Sequence, residues 1–409
     1  MRSSGALREG NHMRFKRLYP LGLAVIAMAA LLPGPASAAS NVTQVAAGLD
    51  SPRGIGFYNG KLLVAEAGHG GDECFAPPGA PPGFKICIGN TSQVSWVNTT
   101  NHTHTPLTTG LFSLRLSPAE NIGASGLSVR DGKIYVQIGA TPQEAPPTSA
   151  IAKAQAGRLI SINPKNGSWR SVAEVGETDF NFTLKFPEPT PGVYSPGTNE
   201  HDANPYGVLA TDQGIYVADA GSNTLDIVSR SGKITILNYD GWRDLNPNNF
   251  PSDSVPTCVA RSGGRLWVGE LSGRLMKVDG KNLTQVVPKD SAGNPLLTHV
   301  TGCTSDGEGN IYFVNMFGPG IPFTSPSFFV GNVVKYNPEE GQASVLAPNL
   351  NFPNMPAIGP DGNLYVTAGS ICSADGASPF PPGAPNPCAG GGKVLKITLP
   401  HDENGDHQG

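Results

Sequence analysis

The sequence predicts an all-β protein, a six-bladed β-propeller with four-stranded antiparallel blades and an N-terminal strand that closes the last blade. The main observation is a phrase of Gly, any residue and an apolar or aromatic run, which occurs six times. The copies begin at Gly60, Gly132, Gly214, Gly264, Gly309 and Gly362. A phrase rich in small residues precedes each copy, and a third phrase follows several of them. A long period built from short strands indicates small sheets arranged around an axis.

The three phrases predict the first three strands of each blade. Each copy of the main phrase reads as a turn followed by a β-branched or aromatic strand. The preceding phrase, as in residues 204–208 and 255–259, predicts an inner strand, because small residues suit strands crowded around an axis. Pro is tolerated there at the first residue of a strand. Residues 157–162 and 273–278 predict third strands, and outer strands follow, as at 343–346.

The two ends of the repeat region are expected to pair. Residues 41–46 alternate between apolar and polar side chains ahead of the first repeat, and residues 393–398 form the last strand of the chain. A propeller closed in this way has no long open sheet edge. We therefore expect these two strands side by side in the last blade.

Three insertions lengthen the first two repeats. They cover residues 73–89, 140–156 and 177–203, and the later copies follow at spacings that suit one blade each. The insertions are either plain surface loops or a rim over a binding site, since long loops on rigid scaffolds often bind ligands. No stretch shows a convincing amphipathic helical period.

The N-terminal segment has the three parts of a secretory signal. Basic residues from Arg14 to Arg17 precede an apolar run at 21–32, and small residues follow at 36–38. The run is too short to span a membrane, and no second such segment follows. We expect export, to the extracellular space or the periplasm.

These boundaries define the predicted domain organisation. Residues 1–39 form the signal peptide, with Met13 as an alternative start. Residues 40–399 form the propeller, and residues 400–409 form a polar tail that is expected to be disordered.

Composition narrows the classes of partner and reaction. Charged residues make up 15% of the chain and the formal net charge is −4, so a nucleic-acid partner with its basic binding face is not expected. The 52 Gly and 38 Pro residues indicate many tight turns. Nucleophile-elbow, P-loop and dinucleotide-binding motifs are missing from the sequence. We expect a monomer that binds an unidentified small molecule or protein.

Six cysteines are expected to form three disulfides in an exported protein. Cys74 and Cys87 bracket one Pro/Gly-rich loop, and Cys372 and Cys388 bracket another. A third bridge would join neighbouring blades, because its cysteines occupy matching positions in adjacent repeats. These two cysteines are Cys258 and Cys303. A metal site is the rival interpretation, but the spacing lacks the paired cysteines and histidines of zinc sites.

Acidic residues close three of the repeated strands, at Glu66, Asp219 and Glu270. If the repeats superpose, their oxygens lie on a ring near one mouth of the channel, where they could hold Ca²⁺ or Mg²⁺. The structural alternative is that each carboxylate accepts local backbone N–H bonds. The sequence leaves both interpretations open.

The densest polar segment, residues 199–207, immediately precedes an inner strand. His201 and Asp202 are the candidate acid/base groups. Asn204 and Tyr206 are candidate ligand-binding residues, together with Arg53 at the equivalent inner position of the first repeat. The structural alternative is an Asx-turn that leads into the strand, with Tyr206 packed at the axis.

Several of these stretches resemble the ScyD/ScyE family of exported proteins, first associated with scytonemin pigment clusters. The matching stretches are residues 48–54, 64–68, 70–74, 202–207, 216–221, 255–257 and 268–271. More distantly, the repeats are similar to NHL, TolB-like and gluconolactonase-like propellers. Some gluconolactonase-like propellers use a divalent ion in the channel for lactone hydrolysis. Their ligand set includes an acidic residue at the start of the first inner strand, where this chain has residues 51–53, Ser-Pro-Arg.

The sequence and this resemblance together lead to two functional expectations. The first is an exported scaffold that binds a small ligand or a protein partner at the channel mouth. The alternative is a metal-dependent lactonase, esterase or lyase that uses the acidic ring, with His201 or Asp202 as the base.

Overall fold

The computed structural model describes residues 41–77, 80–189, 197–241, 253–319, 330–380, 383 and 385–400. The predicted signal peptide and all but the first residue of the predicted tail lie outside the described residues. The remainder confirms the predicted fold: six antiparallel sheets are arranged in sequence order as blades around a central axis. The strands are numbered β1 to β26 along the chain.

The first strand, β1 (Val42–Leu49), belongs to the last blade and is followed by blades 1 to 3. Blade 1 contains β2 (Pro52–Tyr58), β3 (Lys61–Glu66), β4 (Glu73–Phe75), β5 (Ile86–Asn98), β6 (Thr103–Ser117) and β7 (Glu120–Ile122). Blade 2 contains β8 (Ala124–Arg130), β9 (Lys133–Ile138), β10 (Arg158–Ile162) and β11 (Trp169–Glu174). Blade 3 contains β12 (Pro205–Ala210), β13 (Ile215–Asp219), β14 (Thr224–Val228) and β15 (Ile234–Tyr239).

Blades 4 to 6 complete the ring. Blade 4 contains β16 (Pro256–Ser262), β17 (Arg265–Glu270), β18 (Leu275–Asp279) and β19 (Asn282–Val286). Blade 5 contains β20 (Val300–Ser305), β21 (Ile311–Asn315), β22 (Val330–Asn337) and β23 (Gln342–Asn351). Blade 6 contains β24 (Pro356–Ile358), β25 (Leu364–Ala368) and β26 (Gly392–Ile397), with β1 as its outer strand.

The ring closes as the sequence predicts. β1 pairs antiparallel with β26, with Val42 opposite Ile397 and Leu49 opposite Gly392. The two ends of the repeat region therefore meet in one sheet. This pairing covers an edge that would otherwise expose unpaired backbone groups.

The insertions add structure that the sequence patterns do not predict. β4 and β7 extend blade 1 beyond four strands. The second insertion contains a 3₁₀ turn (Pro142–Glu144) and helix α1 (Ala150–Gln155), and helix α2 (Val175–Thr183) leads into the third. These two helices have six and nine residues, and helices this short are not revealed by an amphipathic period in the sequence.

The six inner strands are β2, β8, β12, β16, β20 and β24, and each contacts the next around the axis. Hydroxyl groups also join neighbouring blades. Thr257 Oγ1 donates to the Val300 carbonyl at 2.6 Å, and Thr367 Oγ1 donates to the Arg53 carbonyl at 2.7 Å. Side chains on the blade faces fill the space between neighbouring sheets, as where Val314 of blade 5 packs with Val366 of blade 6.

All three predicted disulfides form. Cys74–Cys87 joins β4 to β5, and Cys372–Cys388 closes the loop between β25 and β26. Cys258–Cys303 joins the inner strands of blades 4 and 5. Within the described ranges, no helix is long and apolar enough to cross a membrane.

Candidate functional site

Three polar side chains meet across the axis near the starts of the inner strands, where the candidate site lies. Arg53 comes from blade 1, Tyr206 from blade 3, and Asn354 immediately before blade 6. Arg53 Nη1 donates to Tyr206 Oη at 2.8 Å, and Tyr206 Oη donates to Asn354 Oδ1 at 2.9 Å. Blades 3 and 6 lie opposite each other in a ring of six, so the second bond crosses the central axis. We call these three residues the axial network.

The axial network is fixed on the arginine side by two further contacts. Arg53 Nη2 donates to the carbonyl oxygen of Asn121 at 2.5 Å, just before the inner strand of blade 2. The guanidinium carbon lies 5.5 Å from the centroid of the Tyr206 ring, within cation–π range. Residues of blades 1 and 3 therefore hold this cation near the axis, and Asn354 holds the tyrosine hydroxyl from the side of blade 6.

Among the described residues, two buried donors of the axial network have no hydrogen-bond partner. They are Arg53 Nε and Asn354 Nδ2. Leaving a buried donor unpaired costs about 1–3 kcal/mol, and more for a charged group. In the described part of the chain, no carboxylate forms an ion pair with Arg53, whose hydrogen bonds go to Tyr206 and Asn121. The network is therefore rich in donors and suits an acceptor.

Glu120 is the carboxyl group on which the Arg53 charge acts. Burial raises the pKa of Glu120, and the Arg53 charge partly opposes that rise. Glu120 lies on β7, directly before the inner strand of blade 2. The immediate surroundings of the arginine therefore contain a carboxyl group with a reduced tendency to ionise.

Glu66, the first of the three predicted metal ligands, is fully buried at the end of β3. Its Oε2 accepts the backbone N–H of Asp50 at 2.7 Å, and its Oε1 accepts from Ser95 Oγ at 2.5 Å and Gln93 Nε2 at 2.9 Å. Burial raises its pKa, and these hydrogen bonds lower it in part. These bonds match the structural interpretation of Glu66, in which its carboxylate accepts hydrogen bonds from neighbouring protein groups.

Asp219, the second predicted ligand, is fully buried at the end of β13. Its Oδ1 accepts three backbone N–H groups, from Asn204 at 2.8 Å, Gly221 at 2.9 Å and Ser222 at 3.0 Å. This carboxylate therefore organises the turn after its own strand and the entry into β12. The backbone bonds are those expected of a structural Asx-type cap.

Glu270, the third predicted ligand, forms a buried ion pair. Glu270 Oε2 accepts from Arg274 Nε at 2.7 Å and from Ser272 Oγ at 2.9 Å, and the side chains of Glu270 and Arg274 are both 0% exposed. Burial raises the pKa of Glu270 well above its usual value, the nearby Asp240 adds to this, and Arg274 opposes it.

Each of the three predicted ligands thus has its own set of protein partners. Across the described ranges, no group of three or more His, Cys, Asp or Glu side chains is arranged to hold a metal ion. A Ca²⁺ or Mg²⁺ site on Glu66, Asp219 and Glu270 stays a prediction.

Asp219 also belongs to a buried carboxyl cluster with Asp179 and Asp226. Asp179, on helix α2, is within hydrogen-bonding reach of both of the others. Thr224 Oγ1 lies 3.2 Å from Asp226 Oδ2 and 3.4 Å from Asp179 Oδ2. Two facing carboxyl groups can bond only if a proton lies between them, so the cluster must carry at least one proton.

The pKa values in this carboxyl cluster agree with proton sharing. Burial raises the pKa of Asp226 to about 7, and the Asp219 charge contributes to that rise. Burial and the charges of Asp226 and Asp219 raise the pKa of Asp179 well above its usual value. The cluster thereby ties helix α2 to the strands of blade 3.

A second pair of carboxyl groups borders the channel mouth. Glu144, on the 3₁₀ turn of the second insertion, shares a hydrogen bond with Asp202, which lies just before β12. Burial raises the pKa of Glu144 well above its usual value, and the charges of Asp202 and Asp219 add to the rise. Glu144 therefore holds its proton more tightly than an ordinary glutamate, and it faces Asp202.

The other predicted acid/base residue, His201, lies near the end of the third insertion and contacts residues closer to its start. His201 Nε2 donates to the Phe186 carbonyl at 2.9 Å, and its Nδ1 lies 3.5 Å from Glu188 Oε1. A carbonyl can only accept, so Nε2 carries a proton. These contacts give His201 a role in holding residues 186–188 against the segment before blade 3.

Asn204, a predicted ligand-binding residue, joins two blades. Its Oδ1 accepts the backbone N–H of Ala140 at 3.1 Å, and its own N–H donates to Asp219. Ala140 follows the second strand of blade 2, so this side chain fixes the second insertion beside the channel mouth.

Sequence reasoning missed several residues of this region. Asn354 precedes the inner strand of blade 6, and a polar residue before that weaker repeat was the only available signal. Glu144 and Asp179 lie on insertion elements with no counterpart in other repeats. Their positions beside Asp202 and Asp219 depend on tertiary contacts.

No protein-family model matches the chain. Among curated proteins, Strictosidine synthase-like 3 from Arabidopsis thaliana is 29% identical over 121 residues. That match covers 26% of this chain, which spans only 28% of the length of that relative.

Among solved structures, a protein of unknown function from Bacteroides thetaiotaomicron is 11% identical, with a TM-score of 0.52. The match covers 88% of this chain and 76% of that one. A gluconolactonase from Xanthomonas campestris is also 11% identical, with a TM-score of 0.46, over 92% of this chain and 94% of that one. At 11% identity, the match to the Bacteroides protein shows a shared fold alone.

Proposed function

We propose that this chain is an exported propeller of the ScyD/ScyE type that binds a small anionic ligand, such as a carboxylate, at the channel mouth. The supporting observation is the axial network, in which Arg53 Nε and Asn354 Nδ2 are buried donors without a partner in the part of the chain that the structure describes. The stretch at 202–207 that carries the family resemblance contains Tyr206, the central residue of this network.

An anion is the ligand class that fits the charges and donors. The Arg53 guanidinium presents a planar set of N–H donors that matches carboxylate oxygens. Burial raises the pKa of Glu120, the carboxyl group beside it, and the Arg53 charge opposes that rise. A carboxylate that accepts from Arg53 and Asn354 would remove the cost of both unpaired donors.

The insertions support a rim around this mouth. Glu144 from the second insertion reaches Asp202, directly before inner strand β12. His201 holds the Phe186 region against the same segment. These contacts favour the interpretation that the insertions form a rim over a binding site, rather than plain surface loops.

Titration calorimetry with succinate, citrate and benzoate, and with their neutral amides, tests this proposal. Arg53→Lys keeps the positive charge but removes the planar N–H donors of the guanidinium. Tyr206→Phe keeps the aromatic ring but removes the hydroxyl. We expect each change to weaken carboxylate binding about tenfold or more, since a hydrogen bond to a charged group contributes roughly 1.5–3 kcal/mol.

The control for this experiment is Arg261→Lys, an exposed arginine at the far end of an inner strand that pairs with Asp212. It should leave binding unchanged. If none of the carboxylates binds the folded protein, or if Arg53→Lys binds as the wild type does, the proposal is wrong. The first of these results would favour a protein partner.

The Glu144–Asp202 pair favours a second candidate, a hydrolase or lyase that uses general acid/base catalysis. A carboxyl group whose pKa is raised well above its usual value, beside a second carboxyl group, is an arrangement that such catalysis can use. Metal-dependent lactone chemistry belongs to this candidate.

A lactone and ester screen with EDTA, and then with Ca²⁺ or Mg²⁺ added back, tests the enzyme candidate. Activity lost in both Glu144→Gln and Asp202→Asn would support it, and activity kept in both would rule out this pair. An ion that raises the melting temperature would show native-state metal binding. That gain should then disappear in Glu66→Gln, Asp219→Asn or Glu270→Gln if the predicted ring holds the ion.

A further inference from the structure

A cleft of about 490 Å³ lies between blades 1 and 2, at the end of the blades opposite the channel mouth. β2 runs from Arg53 at the mouth to Tyr58, so Tyr58 marks the far end of blade 1. The β8–β9 turn at Gly132 and the β10–β11 turn at residues 163–168 complete the walls. The cleft is separate from the axial network and from every residue assigned to the candidate site.

The side chains of this cleft are basic and aromatic. Its lining includes the rings of Tyr58 and Trp169 and the cations Lys133, Lys165 and Arg170, without an Asp or Glu. In the described part of the chain, none of these three cations forms an ion pair. This surface is therefore locally positive although the chain carries a formal net charge of −4.

The wall at residues 163–168 is pre-formed. Asn163 N–H donates to the Ser168 carbonyl at 2.8 Å, and Gly167 N–H donates to the Asn163 carbonyl at 2.9 Å. Thr108 Oγ1 of blade 1 donates to the Gly167 carbonyl at 2.8 Å, which fixes the turn across the blade boundary. A ligand would therefore meet an ordered surface and would have little loop to order on binding.

Size and chemistry together define the ligand class. A volume of about 490 Å³ falls within the usual range for small-molecule sites. Arg and Lys recognise carboxylate or sulfate groups, while aromatic rings provide a flat apolar surface for a ring of the ligand. Trp169 and Arg170 are adjacent in β11, so one strand supplies both kinds of group.

We propose that this cleft is a second binding site, for a small anionic ring compound. The ring lies against Trp169 and Tyr58, and the anionic group contacts Arg170 and Lys165. A sugar acid and an aryl acid share this chemistry. The two sources are distinguished by the probes of the experiment below.

The experiment is a titration followed by calorimetry and tryptophan fluorescence. The anionic probes are glucuronic acid and 4-hydroxybenzoate, and their neutral counterparts are glucose and phenol. We expect one anionic probe to bind at least tenfold more tightly than its neutral counterpart and to change the fluorescence. Glucuronic acid would identify the sugar-acid source, and 4-hydroxybenzoate the aryl-acid source.

Paired variants locate the site. Lys165→Ala with Arg170→Ala should weaken binding at least tenfold, and Trp169→Phe should abolish the fluorescence change. The matched control, Arg265→Ala with Lys281→Ala, removes two exposed cations from blade 4 and should bind as the wild type does.

Binding at the cleft can be told apart from binding at the channel mouth, because Arg53→Lys should leave the affinity of the cleft for the anionic probe unchanged. Melting curves confirm that each variant is folded. The proposal is overturned if neither anionic probe binds with a dissociation constant below about 10 mM. It is equally overturned if the cleft variant binds as tightly as the blade 4 control.

Discussion

Gly126 lies on the inner strand of blade 2, packed against the inner strand of blade 3. A Cβ atom at this position would collide with the carbonyl oxygen of Tyr206 and would lie 2.7 Å from the backbone nitrogen of Val208. Backbone atoms of a neighbouring sheet cannot move aside without shifting the blade. The small residue is therefore required by the spacing of the strands around the axis.

Gly126→Ala should destabilise the protein by about 1–3 kcal/mol, the usual cost of forcing extra volume into a packed interior. Chemical denaturation of the variant and the wild type measures this difference. Gly307→Ala is the control, because an added Cβ there has nothing within 4 Å. An equal effect of the two substitutions would contradict the packing explanation.

At the scale of elements, a disulfide crosses a blade boundary. Cys258 on β16 pairs with Cys303 on β20, at a sequence separation of 45 residues. Cys74–Cys87 spans only 13 residues and lies within one sheet. A cross-link limits the unfolded chain more when it closes a longer loop.

Replacing Cys258 and Cys303 by Ser should lower the free energy of unfolding by about 4 kcal/mol, compared with about 3 kcal/mol for the Cys74 and Cys87 pair. Denaturant titrations of the two double variants under non-reducing conditions provide the measurement. A larger loss from the Cys74 and Cys87 pair would contradict the loop-length argument. Strong reductant should bring the wild type to the level of the variant that lacks all three bridges.

At the scale of the whole molecule, buried acids link folding to pH. The Asp226 carboxyl has an ordinary pKa of 3.8 and a pKa of about 7 in the folded protein. Between these values the unfolded chain is ionised at this group while the folded protein keeps the proton. The proton on this group therefore contributes its full stabilisation below about pH 4, and that contribution is lost as the pH rises towards 7.

Asp226→Asn should therefore stabilise the protein above pH 7, by at most about 4 kcal/mol, and leave it nearly unchanged at pH 4. The measurement is the melting temperature of both proteins from pH 4 to 8. Asp212→Asn, at an exposed carboxyl on the same blade, is the control and should show no such trend. Parallel curves for Asp226→Asn and the wild type would contradict the proton-sharing cluster.

The repeat period predicted the architecture well because each blade is a small sheet of at least four strands that pair mainly with one another. The pairing of Cys258 with Cys303 was predictable for the same reason, since both occupy matching positions in consecutive blades. Helices α1 and α2 were not predictable, because helices this short are stabilised by packing rather than by a pattern of their own.

The sequence by itself determined the propeller, its closure through β1 and β26, and its three disulfides, because these follow from local period and from matching positions in repeats. Only the tertiary structure decided which polar residues meet. Arg53, Tyr206 and Asn354 are separated by about 150 residues each and come together because their blades face one axis. The basic cleft at Trp169 likewise depends on how two blades are placed side by side. The spacing of residues along the sequence does not reveal such a contact, because the contact is set by how the blades are arranged around the ring.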